Sequence, residues 1–276
     1  MSTQSFGPHL CQPDKQKSCG WCCGLYNSQD TSRAGLARKL RARTEEFTKT
    51  RRTVEAILYF SESNREKEKS QLLDPEFYSC EFVGFLNEAE TRVGCMLHPL
   101  ARGNGGTDWR GLSFHGAMAC QGFFCRSYRE LSTVQKRIIL TAVHDWFLFG
   151  LVISDTDLIH SFFHLVEENS IDPATLLMVP ASKLVHEFFH WKIDWPYMNR
   201  GTEAKFIVPQ AVLGKKEDIS GQEPEQQGLA PLDKIFMSLS SKFRSPSERK
   251  SAEEKVNRLF SRLSKAVDQH KALAKG

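Results

Sequence analysis

The chain has 276 residues, 40% hydrophobic and 25% charged, enough to bury one large core or two modest ones. Its net charge of +4 and pI near 8.6 permit an acidic partner but fall well short of a nucleic-acid footprint. One compact body with appendages accounts for such a composition.

Residues 1–10 carry Gln4, Pro8 and His9 but no apolar core of a secretory signal, which predicts a cytoplasmic protein. The greasiest run, Ile138 to Ser154, is interrupted by His144 and Asp145 and falls short of the ~20 apolar residues of a membrane span. In a reducing compartment, an even cysteine count argues for metal or redox chemistry rather than a disulfide framework. The eight cysteines form two blocks: Cys11, Cys19, Cys22 and Cys23, then Cys80, Cys95, Cys120 and Cys125. None follows.

Residues 9–30, punctuated by Pro13, Gly20, Gly24 and Asn27, read as a loop, and loops can turn several thiolates towards one point. Cys19-Gly20-Trp21-Cys22-Cys23 has the two-residue gap that lets neighbouring thiolates reach one metal. Adjacent side chains diverge, so the Cys22–Cys23 doublet either serves two metals or leaves one thiol over. From Thr31 to Lys69, Leu36, Leu40, Phe47, Val54, Ile57 and Leu58 recur at helical spacing and predict one or two amphipathic helices joining the blocks. The basic run Arg33, Arg38, Lys39, Arg41 and Arg43, followed by Glu45 and Glu46, reads as a solvated face. Aromatic residues approach Cys80, the piece Gly103 to Gly111 reads as an irregular loop, and Cys120-Gln121-Gly122-Phe123-Phe124-Cys125 closes the second block.

The order CxxCC, a cysteine followed by Phe and Leu, then Gly94-Cys95-Met96-Leu97-His98-Pro99 and a closely spaced cysteine pair with aromatics between resembles the YkgJ-like cysteine-cluster family, described as chelating zinc or iron. The resemblance covers residues 11–125. The family's third cysteine element is followed shortly by its last pair, whereas here an insertion separates Cys95 from Cys120. The motif is also similar to one in flagellin lysine N-methylases, which implies an iron–sulfur cluster; no glycine-rich nucleotide or S-adenosylmethionine loop accompanies it. Four thiolates suit tetrahedral zinc or one [4Fe–4S] cluster, so all eight cysteines stand as candidate ligands. The bland reading, that single cysteines are small buried hydrophobes, fits an isolated residue better than this crowd.

Beyond Cys125 the pattern turns helical: Leu131 to Ser154 as one helix, Asp155 to Glu168 as a second, Asp172-Pro173 opening a third, and Pro180 restarting it towards Trp195. Residues 214–231 read as a mobile linker, and Ser245-Pro246-Ser247-Glu248 as the capping box of a terminal helix with Val256, Leu259, Phe260, Leu263 and Val267 on one stripe. His186-Glu187-Phe188-Phe189-His190 matches HExxH, which on a helix can hold zinc with the glutamate as base. Helical phasing sets both histidines away from Leu184, Val185, Phe188 and Trp191, and Leu158 to His164 repeats the shape without the glutamate.

The expectation is a mainly α protein whose loop-rich cysteine core, residues 1–130, packs against helices at 131–213, followed by a linker at 214–244 and a terminal helix at 245–276. The expected function is binding of an iron–sulfur cluster, zinc or iron through the cysteines, with a protein client conceivable and no membrane contact. A zinc-dependent hydrolase using His186, Glu187 and His190, and an interaction module that metal merely stabilises, are the alternatives. No pattern here commits the chain to being an enzyme.

Overall fold

A computed structural model describes residues 9–116, 125–199 and 229–273. It is mainly helical, as the sequence predicts, with one two-stranded sheet among the described residues. Two compact units divide the chain. The first holds Leu10–Cys125 and Asp145–Gly150; the second holds Met1–His9, Arg126–His144 and Leu151–Gly276.

In the first unit, helix α1 (Arg33–Lys49) starts where Ser32 Oγ accepts a hydrogen bond from Gly35 N, and α2 (Val54–Glu68) starts at Thr53 in the same way. Leu36, Leu40 and Phe47 of α1 are buried, and Phe47 packs edge-on to Phe60 of α2 and to Phe82, at ring separations of 5.0 and 6.0 Å. The buried face of α2 is Ile57, Phe60, Ser61 and Asn64, so Val54 and Leu58 are more exposed than their spacing predicts. Two polar residues can take core positions because both are bonded: Ser61 Oγ to Glu81, and Asn64 Nδ2 to Phe60 O. The solvated reading of the basic run also needs correction. Arg43 and Lys39 turn inward onto Glu68, and Arg43 is 1% exposed. Strands β1 (Val83–Phe85) and β2 (Val93–Cys95) pair antiparallel, with Val83 opposite Cys95.

In the second unit, α3 (Arg126–Glu130) precedes α4 (Thr133–Ala142), which Ser132 and Gln135 open with a reciprocal capping box. The single helix expected over Leu131–Ser154 is broken. Val143 is extended, and Asp145 Oδ1 accepts from Phe147 N and Leu148 N, opening α5 (Trp146–Ile153) afresh. The first turns of α5 belong to the first unit, where Tyr26 donates its hydroxyl to Phe147 O at 2.9 Å, so the boundary expected at 130 falls instead at 125, with Asp145–Gly150 returning.

Asp155 caps α6 (Thr156–Glu168), and α7 (Ala181–Asp194) follows a short 3₁₀ turn at Pro173–Leu177. Phe162 of α6 is fully buried against Phe188 and Phe189 of α7 and Phe260 of α9 (Pro246–Leu273), with ring separations of 4.8, 5.2 and 5.6 Å. The predicted stripe of α9 is buried throughout. Part of the expected linker is ordered: α8 (Pro231–Ser238) buries Ile235 and Phe236, and Trp195 stacks on Phe236 at 6.2 Å. The remainder, through residue 228, lies outside the described residues, as does Cys120. Among the described residues no single helix is long and apolar enough to cross a membrane; α5 and α6 pass that test only as a pair, bent by 79°.

Candidate metal centre

Every described cysteine lies in the first unit. Cys19 to Gly24 is a tight turn: Gly24 N bonds Trp21 O at 2.8 Å, Leu25 N bonds Gly20 O at 3.1 Å, and both glycines have left-handed backbones. Gly24 is required twice over, because a Cβ there would stand 2.4 Å from Tyr78 O and 2.7 Å from Ser79 Cα. That close approach brings the cysteine blocks together. Cys80 N donates to Cys23 O at 2.8 Å, Ser79 Oγ to Gly24 O at 3.2 Å, and Cys19 N to Cys11 O at 3.0 Å. Val83 N reaches Cys80 O at 3.3 Å, and the β1–β2 pairing then sets Cys95 opposite Val83. Backbone contacts thus tie Cys80 to Cys23 across far-apart segments, and the β1–β2 pairing sets Cys95 opposite Val83, three residues after Cys80.

The electrostatics of the thiols agree. Burial pushes Cys19 and Cys23 well above the ordinary 9.0 and carries Cys22 and Cys80 up to about 12. After burial, repulsion between neighbouring thiolates acts in the same direction. Cys19 feels Cys22 and Cys11, and Cys22 feels Cys125 and Cys11, whereas Cys23 feels Cys80 and Cys95 first. Cys23 also feels Cys22 and Cys11, so the groupings mix the two sequence blocks. Cys19, Cys22, Cys23, Cys80 and Cys125 are thiols rather than disulfides.

Several functional neighbours escaped the sequence reading. Arg43, on the buried side of α1, donates to Cys80 O at 2.8 Å and Val83 O at 3.4 Å while forking onto Glu68, with Nε 2.6 Å from Oε1. Lys39 Nζ lies 3.0 Å from the same carboxylate. Burial raises the Glu68 carboxyl, but the Arg43 hydrogen bonds and charge, then those of Lys39, outweigh it and hold the group below its ordinary value. Tyr78 donates to buried Glu81 at 3.1 Å. Asn104, 4% exposed, ties down the loop after Cys95 by donating to Met96 O and His98 O, both at 2.8 Å. The His115 ring meets Tyr78 edge-on at 5.1 Å.

Such donors suit a soft or borderline cation, whose charge would offset the burial and mutual repulsion that disfavour thiolates. Among the described residues, no three His, Cys, Asp or Glu side chains already stand as a ligating group.

The HExxH histidines lie elsewhere, on α7. His186 Nδ1 sits 2.7 Å from Ala142 O and, since a carbonyl can only accept, acts as a donor, and His190 Nδ1 lies 3.2 Å from Asp194 Oδ2. Glu187, the would-be base, is 2.9 Å from Arg262 Nη1. His186, Glu187, His190, Trp191 and Asp194 line an open depression of about 260 Å³. The histidines are half-buried at the edge of the packed face, where helical phasing puts them.

No protein-family model, curated protein or solved structure matches this chain.

Proposed function

We propose that this chain is a cysteine-cluster protein of the YkgJ-like kind, binding an iron–sulfur cluster, or failing that zinc, through Cys11, Cys19, Cys22, Cys23, Cys80, Cys95, Cys120 and Cys125. The observation that carries the reading is the backbone stitching of the two blocks, Cys80 N to Cys23 O with Ser79 Oγ to Gly24 O beside it, across the Gly24 close approach. Cysteines serving only as buried hydrophobes have no need to gather from three segments. A bound iron–sulfur cluster supplies one-electron redox chemistry, and the chain's own residues would position it. Arg43 and Asn104 fix the backbone at Cys80 and after Cys95, and aromatic neighbours such as Tyr78 and Phe82 limit water. A cytoplasmic location belongs to the same proposal, because a reducing compartment keeps such thiols available.

The hydrolase alternative asks Glu187 to leave its ion pair with Arg262 before acting as a base, so the cysteine reading is preferred. The test is anaerobic purification with iron, acid-labile sulfide and zinc measured per chain. Iron with matching sulfide and a broad visible absorption is expected, and Cys22→Ser should lower it. A folded, metal-free protein would overturn the proposal.

A further inference from the structure

In the second unit, three histidines stand in a row. The His144 ring stacks on His186, with 5.4 Å between centroids and 25° between planes, and His190 follows His186 at the same separation, tilted by 43°. His186 also holds the backbone beside its neighbour. Its Nδ1 lies 2.7 Å from Ala142 O, at the last residue of α4, where a carbonyl has no helical partner of its own. Beyond Ala142 the chain is extended at Val143, and His144 is the last residue of the second unit before the chain enters the first at Asp145. One side chain of α7 thus fastens the end of α4 twice, by a hydrogen bond and by a stack.

The two fastenings respond differently to a proton. Ala142 O accepts from Nδ1 whether the His186 ring is neutral or charged, and the Asp194 carboxylate, 3.2 Å from His190 Nδ1, can likewise accept from a charged ring. The stack tolerates one charged ring, but two set like charges face to face at 5.4 Å. Around the row, Glu187 of α7 is paired with Arg262 of α9, and Lys255 of α9 lies over the Trp191 ring at 5.4 Å. On α4, Lys136 Nζ donates to Tyr128 O, while Arg137 of α4 and Lys183 of α7 are exposed to water. His160 and His164 of α6 lie beside Glu130 and Glu168, and the 3₁₀ turn at Pro173–Leu177 carries no ionisable side chain. Asp145, next to His144 in the chain, is paired with Arg33, so each of these carboxylates has a basic partner other than His144.

We propose that His144 and His186 form a pH-sensitive latch where the chain leaves the second unit, closed while at most one ring is charged and open once both are. Histidine is the side chain whose charge ordinarily changes near pH ~6.5, so mild acid operates the latch. Acid frees the His144 ring and leaves the bond from His186 to Ala142 O in place. Val143 and His144 then loosen while α4 stays packed on α7. The latch uses no cysteine and stands or falls apart from metal binding.

The test is hydrogen–deuterium exchange of the full chain at about pH 7.5 and about pH 5.5, on either side of the ordinary histidine value, with rates corrected for the intrinsic pH dependence of exchange. Wild-type protection at Val143, whose N–H donates to Ile139 O at 2.9 Å, and at His144 should fall about tenfold in acid. That is the like-charge repulsion expected at about this separation in a medium between bulk water and a protein surface. Protection at Phe188 and Phe189, in the buried face of α7, should hold. His144→Phe keeps a flat ring for the stack but has no proton to gain, and it should remove the acid response. His164→Phe, on α6 beside Glu168, should leave that response at its wild-type size. Equal protection of Val143 and His144 at both pH values would overturn the latch, as would an acid response that survives His144→Phe or is abolished equally by His164→Phe.

Discussion

Replacing Arg43 by Met should destabilise the first unit far more than its place in a charged, helical stretch suggests. The guanidinium is 1% exposed and serves five acceptors: both Glu68 oxygens, Cys80 O, Val83 O and Ser79 Oγ. Met fills comparable space but leaves Glu68, whose side chain is 13% exposed, with Lys39 alone, and leaves the Cys80 carbonyl with only the longer bond from Val83 N at 3.3 Å. Breaking a buried pair from one side costs about 3–5 kcal/mol, more than a hundredfold in the folding equilibrium. Urea denaturation followed by circular dichroism reads the loss. Arg43→Met combined with Glu68→Gln should recover part of it, because the stranded charge is gone. The same network predicts a pH dependence. The folded Glu68 carboxyl sits below its ordinary 4.5, so its stabilisation is complete above that value and is lost as pH falls through the lower folded value. Glu68→Gln should flatten that part of the acid limb. An Arg43→Met protein within about 1 kcal/mol of wild type would refute the buried-network argument.

Gly24→Ala should cost the left-handed backbone, about 1–2 kcal/mol, and also force apart the Tyr78–Ser79 segment; Gly105→Ala, also left-handed but in open space, should show only the first cost, and equal losses in urea melts would contradict the close approach. Phe162→Ala should destabilise the second unit by about 3–5 kcal/mol while metal per folded chain stays constant, checked by denaturation and metal analysis of the same preparation. Asp155→Ala removes the cap of α6, bonds to Leu158 N at 2.9 Å and Ser238 Oγ at 3.0 Å, and the 2.8 Å partner of Lys192; a loss of about 3 kcal/mol is expected, whereas a thermal melt shifted by no more than an ordinary surface substitution would count against it.

Several helices after Cys125 were legible because their starts carry their own chemistry: Asp155, Asp172 with Pro173, and Ser245 with Pro246 and Glu248 all sit where helices or turns begin. The break at Val143 was harder to read. An apolar period runs straight through it, and Asp145 looks like a polar interruption until its oxygen is seen capping α5. Pattern reading also failed where polar side chains are buried with partners. Arg43, Lys39 and Ser61 are inside because Glu68, Glu81 and main-chain oxygens from other segments meet them, and Asn64 because it bonds Phe60 O one turn back; apolar periodicity records none of these pairings.

The cysteine site was half legible for the same reason. Composition and spacing identify the residues, but grouping them by sequence sets Cys22 and Cys23 with Cys11 and Cys19, whereas Cys23 keeps company with Cys80 and Cys95. The local cause is the turn closed by Gly24, which lets the chain at Tyr78 come within a distance no side chain could share and places Cys80 N on Cys23 O. A doublet is then useful because adjacent side chains diverge, so Cys22 and Cys23 need not turn towards the same partners. Separating the cysteines by one or two residues would let both turn towards the same point. The CxxCC spacing thus carries two messages, a gap that gathers Cys19 and Cys22 and a doublet that splits the donors, and the second becomes readable only when the other block's position is known.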